Sequence, residues 1–232
     1  MIEKENLMKT GTTTVGIVCK DGVILGADKR TTAGGQLVAN KKTEKVVKVT
    51  DDIWVTTAGG ASDCQLLVKL AQAELRLKRM RVHRKATVEE AAHLMSRMVY
   101  NNLRKPSMIP GISHFLLGGR DKKGYYVYDI FADGTLTLID DFVGSGSGSI
   151  LAYGVLETLY NPEMTTEQGV GLVVKAINAA MQRDWLTGGR CATILRMGRG
   201  KTDEAPHGHD RKTILRRSAP RTGCAERAEP GL

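Results

Sequence analysis

Thr10-Gly11-Thr12-Thr13-Thr14-Val15-Gly16-Ile17 is the stretch of this 232-residue chain that decides its fold. Its β-branched residues pack well on a pleated surface and predict a β-strand. If the chain is cut after Gly11, Thr12 carries both a hydroxyl nucleophile and a free α-amine that can activate it. The usual pKa of such an amine, roughly 7.7–8.0, leaves it partly neutral near pH 7. Taken alone, these residues favour an ordinary threonine-rich strand, so the rest of the chain must decide.

Short alternating segments around this stretch predict an antiparallel meander. Thr12–Lys20 and Gly22–Lys29 are joined by Asp21-Gly22, a strong hairpin signal. The same alternation predicts three further strands of this meander, Gln36–Ala39, Lys45–Val49 and Ile53–Ala58.

Capping boxes and periodic apolar residues predict helices in the remainder of the chain. The boxes begin at Ser62, Thr87 and Thr165. The predicted helices run from Ser62 to Leu77, Thr87 to Leu103, Ser149 to Leu159 and Thr165 to Gln182. Alternation predicts the remaining strands, Ile112–Gly118, Tyr125–Phe131, Thr135–Ile139 and Cys191–Met197.

The order of these elements predicts the fold class. Strands, two helices, strands, two helices and one strand do not form the regular alternation of a parallel α/β sheet. We expect an α+β fold, a four-layer αββα sandwich of two antiparallel sheets flanked by helix pairs. The expected domain spans residues 12–198. Residues 199–232 lose hydrophobic periodicity and gather Pro, Arg, His and Gly, which predicts a disordered basic tail.

Composition excludes several classes of protein. No window of 18 apolar residues is present, and the leader has no apolar h-region, so we expect neither a membrane span nor a secretory signal. The four cysteines lie far apart, as in reduced cytoplasmic proteins. The net charge is +9, but the basic residues gather at a helix end and in the tail, with no aromatic stripe for stacking bases. We therefore expect no nucleic-acid partner.

Few constellations in the sequence could carry chemistry. The glycine-serine run 144–148 matches no nucleotide-binding or hydrolase motif, and the five histidines show no metal-ligand spacing. We therefore expect no metal and no cofactor. No Ser-His-Asp triad is visible either, although the members of such a triad need not be close in sequence. Asp28 and Lys45 remain, at strand ends near Thr12. A lysine there would lower the pKa of the threonine amine and hydroxyl, and an aspartate would orient the lysine. Both residues could equally be solvated charges.

Several motifs, in order, resemble those of archaeal-type proteasome β subunits, and the resemblance covers about Lys9 to Met197. They are Thr10-Gly11-Thr12-Thr13-Thr14-Val15-Gly16, Ala27-Asp28-Lys29-Arg30, Thr57-Ala58-Gly59 with Asp63, Gly144-Ser145-Gly146-Ser147-Gly148-Ser149, Tyr153-Gly154-Val155-Leu156-Glu157, Gln182-Arg183-Asp184 and Gly188-Gly189. The resemblance implies the N-terminal-nucleophile hydrolase fold. The combination is far more specific than any single motif.

The resemblance also implies roles for individual residues. Thr12 matches the nucleophile, which makes Met1–Gly11 a propeptide removed by autolysis after Gly11. Lys45 matches the catalytic lysine if one residue is inserted before it, whereas an ungapped alignment would place Glu44 there. Asp28 matches the acidic partner of the lysine, and the backbone N–H of Gly59 matches the oxyanion donor. Ser147 and Asp184 match the residues that support the threonine amine, and Thr187 keeps a hydroxyl where the family often has serine.

The implied substrate cleft holds a peptide as an added strand between Thr32 and Gly59. Its first specificity pocket would be uncharged and would favour apolar residues, being lined by Thr31, Val47, Thr57 and Ala61. The resemblance implies a cytoplasmic threonine endopeptidase, the catalytic β subunit of a 20S-type proteasome. Its expected partners are further copies in heptameric rings, α-type rings, an ATPase regulator and unfolded protein substrates. A non-catalytic β subunit of the same ring and a bacterial two-ring relative remain as alternatives.

Overall fold

The computed structural model describes residues 11–33, 37–188, 191–198 and 211–216. The strands are β1 (Thr14–Cys19), β2 (Gly22–Ala27), β3 (Thr31–Ala33), β4 (Leu37–Asn40), β5 (Val46–Lys48), β6 (Ile53–Gly59), β7 (Ser113–Arg120), β8 (Tyr125–Ile130), β9 (Leu136–Ile139), β10 (Phe142–Ser145), β11 (Cys191–Gly198) and β12 (Arg211–Arg216). The helices are α1 (Ala61–Val82), α2 (Val88–Arg104), α3 (Ser149–Leu159) and α4 (Thr166–Arg183). No helix among these described residues is long and apolar enough to cross a bilayer.

The strands form two antiparallel sheets and a separate hairpin. The first sheet has the order β10-β1-β2-β11-β12, and the second has the order β5-β6-β7-β8-β9. Strands β3 and β4 pair only with each other among the described residues. In the sequence they follow β2 of the first sheet and precede β5 of the second. The prediction of one continuous meander is therefore wrong, since β2 pairs with β11 and β4 pairs with β3, whereas the predicted pairs β1–β2 and β5–β6 are present. Local alternation shows that a segment is a strand, but it does not show which sheet the strand joins.

Three apolar cores hold the layers together. Helices α1 and α2 pack on the second sheet around Phe115 and Met95. Helices α3 and α4 pack on the first sheet around Ile17 and Ile177. The third core fills the space between the sheets and includes Leu25 and other buried side chains, Val23, Ala27, Val46, Leu116, Val127, Val143, Leu195 and Met197. The predicted four-layer αββα sandwich is confirmed.

Two of the three predicted capping boxes are present. The hydroxyls of Thr87 and Thr165 each accept from the N–H of the third helical residue, whose side chain in turn accepts from the N–H of the capping threonine. The box predicted at Ser62 is wrong, because α1 begins at Ala61 with Gly60 as its N-cap and no side-chain cap. The Gly60 N–H donates instead to the carbonyl of Ile112 at 2.8 Å, so neighbouring backbone takes the place of a local cap.

Two further elements depart from the predictions. Strand β10 pairs with β1, Ser145 lying opposite Thr14, although the glycine-rich sequence predicted no strand there. Strand β12 pairs with β11, so the prediction of disorder is wrong for Arg211–Arg216. Pairing with a long neighbour can order a segment that has no hydrophobic periodicity of its own. The rest of residues 199–232, and residues 1–10 of the predicted propeptide, lie outside the described residues.

Candidate active site

Thr12 lies two residues before β1, at the end of a buried polar cluster. Only 5% of Thr12 is exposed, and its hydroxyl donates to the carbonyl oxygen of Gly11 at 2.7 Å. The amine Nζ of Lys45 donates to Thr12 Oγ1 at 3.0 Å and to the same carbonyl of Gly11 at 3.3 Å. One hydroxyl, one amine and one peptide carbonyl therefore meet at the Gly11–Thr12 bond.

Asp28 follows β2 and anchors Lys45 in this position. Its carboxylate is fully buried and accepts from Lys45 Nζ at 2.7 Å. It also accepts from three backbone N–H groups, those of Thr13 at 3.0 Å, Arg30 at 3.0 Å and Gly188 at 3.1 Å. Pairing of β1 with β2 brings Thr13 opposite Asp28, which fixes the carboxylate relative to the neighbouring Thr12.

Burial and charge act in opposite directions on Lys45. Burial lowers the pKa of the Lys45 amine, and the Asp28 carboxylate opposes this shift. A buried lysine with a lowered pKa releases a proton more readily than an exposed one. The buried ion pair therefore holds an amine that can both donate to Thr12 and exchange a proton with it.

The turn after β10 contacts Thr12 from the other side. Gly146 has φ +88°, and a Cβ at this position would lie 2.1 Å from the carbonyl oxygen of Thr12. The N–H of Gly148 donates to that carbonyl at 3.3 Å, and the backbone nitrogen of Thr12 donates to Ser147 Oγ at 3.4 Å. The left-handed conformation and the close approach both require glycine at position 146.

Asp184, the C-cap of α4, links this turn to the segment before β1 that contains Thr12 and Thr13. One of its carboxylate oxygens, Oδ2, accepts from Ser147 Oγ at 2.7 Å and from Thr187 Oγ1. The Thr187 hydroxyl in turn lies 2.7 Å from that of Thr13. Ser147 and Asp184, which are expected to support the threonine amine, thus form one hydrogen-bonded network with Thr187 beside Thr12.

A cleft of about 260 Å³ opens beside Thr12. Its lining includes every residue expected to contact substrate, namely Thr31, Thr32, Val47, Thr57, Gly59 and Ala61. The hydroxyl of Thr32 also accepts from the N–H of Gly11 at 3.3 Å. Arg30, Glu44 and Lys69 line the same cleft. The residues predicted to form an uncharged first specificity pocket therefore share the cleft with charged residues from α1, from the segment before β5 and from the segment after β2.

A larger cavity of about 430 Å³ contains none of the predicted site residues. Its carboxylates are already paired, Asp51 with Lys48 at 2.9 Å and Asp52 with Lys85 at 2.5 Å. Its charges therefore form surface ion pairs, and the smaller cleft remains the candidate site.

One group of hydrogen-bonded polar side chains was not predicted from the sequence. His114, on β7, lies between Asp129 on β8 and Ser145 on β10, with hydrogen bonds to both. These residues are far apart in sequence and lie on three strands of two sheets. The one available signal was that His114, Asp129 and Ser145 each interrupt an alternating row of apolar residues.

Comparison with known proteins gives consistent results. The model of the proteasome subunit family matches residues 8–194. A proteasome subunit beta of Methanocorpusculum labreanum is 43% identical over 188 residues, covering 81% of this chain and 86% of the relative. Those of Archaeoglobus profundus and Methanothermobacter thermautotrophicus are each 41% identical, over 80% and 79% of this chain and 84% of each relative.

Proposed function

This chain belongs to the proteasome subunit family, and from that premise we propose that it is a catalytic β subunit, a threonine endopeptidase with Thr12 as nucleophile. The observation that carries this proposal is the position of Lys45 Nζ, 3.0 Å from Thr12 Oγ1 and 2.7 Å from Asp28. A structural subunit would have no need for a buried ion pair at this hydroxyl. Burying two charges costs desolvation free energy, so an ion pair buried at this hydroxyl favours a role besides stability.

We infer that the chain first cleaves itself. Thr12 Oγ attacks the carbonyl carbon of Gly11, and the C–N bond breaks as the proton passes to the nitrogen of Thr12. The α-amine is free once this bond has broken, and water then hydrolyses the resulting ester, which releases residues 1–11 and restores the Thr12 hydroxyl. The distances support this step, because Lys45 Nζ donates both to the attacking oxygen and to the carbonyl oxygen that becomes negative.

Peptide hydrolysis then uses the freed amine. The α-amine of Thr12 accepts the proton of its own hydroxyl as that hydroxyl attacks a substrate carbonyl. Ser147 and Asp184 hold the amine, and Thr187 holds Asp184. The N–H of Gly59 donates to the oxyanion, an interaction worth roughly 2.7–4 kcal/mol in comparable sites. The substrate C–N bond then breaks as the protonated α-amine gives its proton to the leaving nitrogen, and an acyl ester on Thr12 remains. Water hydrolyses this ester, so these steps require neither metal nor cofactor.

The substrate is proposed to be an unfolded polypeptide bound as an extended strand. Thr32 and Gly59 border the cleft on either side, and Thr31, Val47, Thr57 and Ala61 would contact the residue before the cut. Further copies in a heptameric ring, α-type rings and an ATPase would confine and deliver this substrate. The named relatives are themselves proteasome subunits. We propose the cytoplasm as the compartment.

The test is the N-terminus and peptidase activity of Thr12→Ala, expressed as the full chain with an α-type partner. We expect wild type to begin at Thr12 by mass spectrometry and to hydrolyse a fluorogenic peptide. We expect Thr12→Ala to keep residues 1–11 and to lose hydrolysis. Thr137→Ala, at an exposed position on β9, is the matched control and should behave as wild type. Normal processing or turnover by Thr12→Ala would disprove the proposal.

The alternatives give different results in the same experiment. A non-catalytic β subunit would assemble with the α-type partner but would keep its leader and remain inactive in the wild type. A two-ring relative that pairs directly with an ATPase would process itself without binding the α-type partner.

A further inference from the structure

A polar cluster interrupts the apolar layer between the two sheets. His114 Nε2 lies 2.5 Å from Asp129 Oδ1, and His114 Nδ1 lies 2.8 Å from Ser145 Oγ. The neighbouring positions on the same strand faces belong to the apolar inter-sheet core, for example Leu116 on β7 and Val143 on β10. We call these three side chains the His114 cluster.

The partners determine how the imidazole of His114 hydrogen-bonds. An ionised carboxylate can only accept, so Nε2 donates its proton to Asp129. With the ring proton on Nε2 alone, Nδ1 accepts from the hydroxyl of Ser145. Only 3% of Ser145 is exposed, so its hydroxyl is not accessible as a second nucleophile. The His114 cluster therefore joins the second sheet to β10 and does not form a separate hydrolytic site.

Ser145 is the last residue of β10, directly before the turn that contacts Thr12. Its backbone is paired with Thr14 of β1, and its side chain is held by His114 from the opposite sheet. Gly146 and Ser147 follow at once and contact the carbonyl oxygen and the nitrogen of Thr12. The position of Ser147 Oγ thus depends on how firmly Ser145 is anchored.

We propose that His114 is a positioning residue for the peptidase reaction. By holding Ser145, it fixes the turn that places Ser147 Oγ beside the nitrogen of Thr12. This inference rests on the proposed function. His114 does not line the substrate cleft, which is formed by β3, β5, β6, α1 and their neighbouring residues. The effect of His114 should therefore fall on kcat and not on KM.

The first experiment compares His114→Leu with wild type in the processed full chain and its α-type partner. Leucine removes both hydrogen bonds but keeps an apolar side chain in an apolar layer. We expect kcat to fall about tenfold, because displacements of about 1 Å in supporting groups can cost up to about 100-fold. KM should stay within about twofold. His114→Gln can still donate and accept, and should recover most of kcat. His93→Leu, at an exposed position on α2, is the control and should match wild type.

A double-mutant cycle with Ser147→Ala separates positioning from a general structural role. If His114 acts through Ser147, adding His114→Leu to Ser147→Ala should lower kcat by less than about twofold. An equal loss of kcat in both backgrounds, or a change in KM alone, would overturn the inference. Should His114→Leu fail to fold, as shown by thermal unfolding, Ser145→Ala decides the matter. It removes the same link and should lower kcat by the same factor.

Failure of this inference can be distinguished from failure of the proposed function. If wild-type activity persists in Thr12→Ala, the proposed function fails and the His114 variants are not needed. If wild-type activity depends on Thr12 but His114→Leu and Ser145→Ala keep the wild-type kcat, only the role of His114 is wrong.

Discussion

Asp28→Asn tests the buried centre of the site. The carboxylate of Asp28 accepts from four donors at 2.7–3.1 Å, two on each oxygen. An asparagine side chain has one oxygen, so its NH₂ group must face two of these donors. Each buried donor left without a partner costs about 1–3 kcal/mol, and breaking a buried ion pair costs about 3–5 kcal/mol. Because Lys45 belongs to both sets, these costs overlap, and we expect a total loss of about 3–5 kcal/mol.

This loss should be visible in thermal unfolding. For chains of 150–250 residues, each kcal/mol shifts Tm by about 2–4 °C, so Tm should fall by about 6–20 °C. Circular dichroism at one fixed protein concentration is the assay, since association would also shift Tm. Asp140→Asn, at an exposed position, is the matched control and should change stability by less than about 0.5 kcal/mol.

A second variant isolates the ion pair from the backbone bonds. Lys45→Met removes the amine that Asp28→Asn leaves unpaired, so the double variant should be less destabilised than the sum of the two single variants. We expect a coupling of about 0.5–3 kcal/mol. The reasoning would be refuted if Asp28→Asn lowered Tm by less than about 2 °C. It would also be refuted if the losses of stability in the two single variants added strictly in the double variant.

Three further predictions follow from close contacts and burial. Gly146→Ala should slow removal of the leader and lower Tm, because a Cβ at φ +88° would meet a backbone carbonyl at 2.1 Å. Gly154→Ala on α3 places its Cβ in open space and should stabilise the chain. Thr32→Val should slow removal of the leader in a time course by mass spectrometry, because it removes the hydroxyl that accepts from the N–H preceding the scissile carbonyl. Burial raises the pKa of Cys19 and Cys64 from 9.0 to about 12, so alkylation of both at pH 8 should be slow until the chain unfolds.

The cysteine shifts also predict how stability depends on pH. A raised pKa in the folded chain stabilises it fully below pH 9.0, and this contribution is lost as the pH rises towards 12. The free energy of unfolding should therefore fall above pH 9, and less steeply in Cys64→Ala. Rapid alkylation of Cys19 or Cys64 in the folded chain, or an unchanged slope in Cys64→Ala, would contradict this account. Likewise, equal processing rates in Gly146→Ala or Thr32→Val and wild type would show that these contacts do not guide cleavage.

Local chemistry explains which parts of the fold could be predicted. The capping boxes at Thr87 and Thr165 were correct because both partners of each bond lie within one helical turn. The capping box predicted at Ser62 was wrong because the helix begins after Gly60, whose N–H donates to the backbone of Ile112 and not to a nearby side chain. Strands β5 and β6 form a local hairpin, but the place of this hairpin in the second sheet depends on the long-range pairing of β6 with β7, which alternation does not encode.

The site shows the same division. Asp28 and Lys45 were chosen from strand ends and a family resemblance, and the structure brings them together across a change of sheet. Sequence spacing alone could not have shown that contact. The His114 cluster was missed because its three members belong to three strands, and none lies near another in the sequence.

Position 11 carries a broader consequence. A Cβ on Gly11 would lie 1.8 Å from Cβ of Leu186, so packing alone restricts this position to glycine. If cleavage requires only that glycine pack against Leu186 at position 11, the sequence of the preceding ten residues does not determine whether they are removed. An unrelated extension ending in glycine should then be removed as faithfully as the native one, and this part of the gene would be free to diverge.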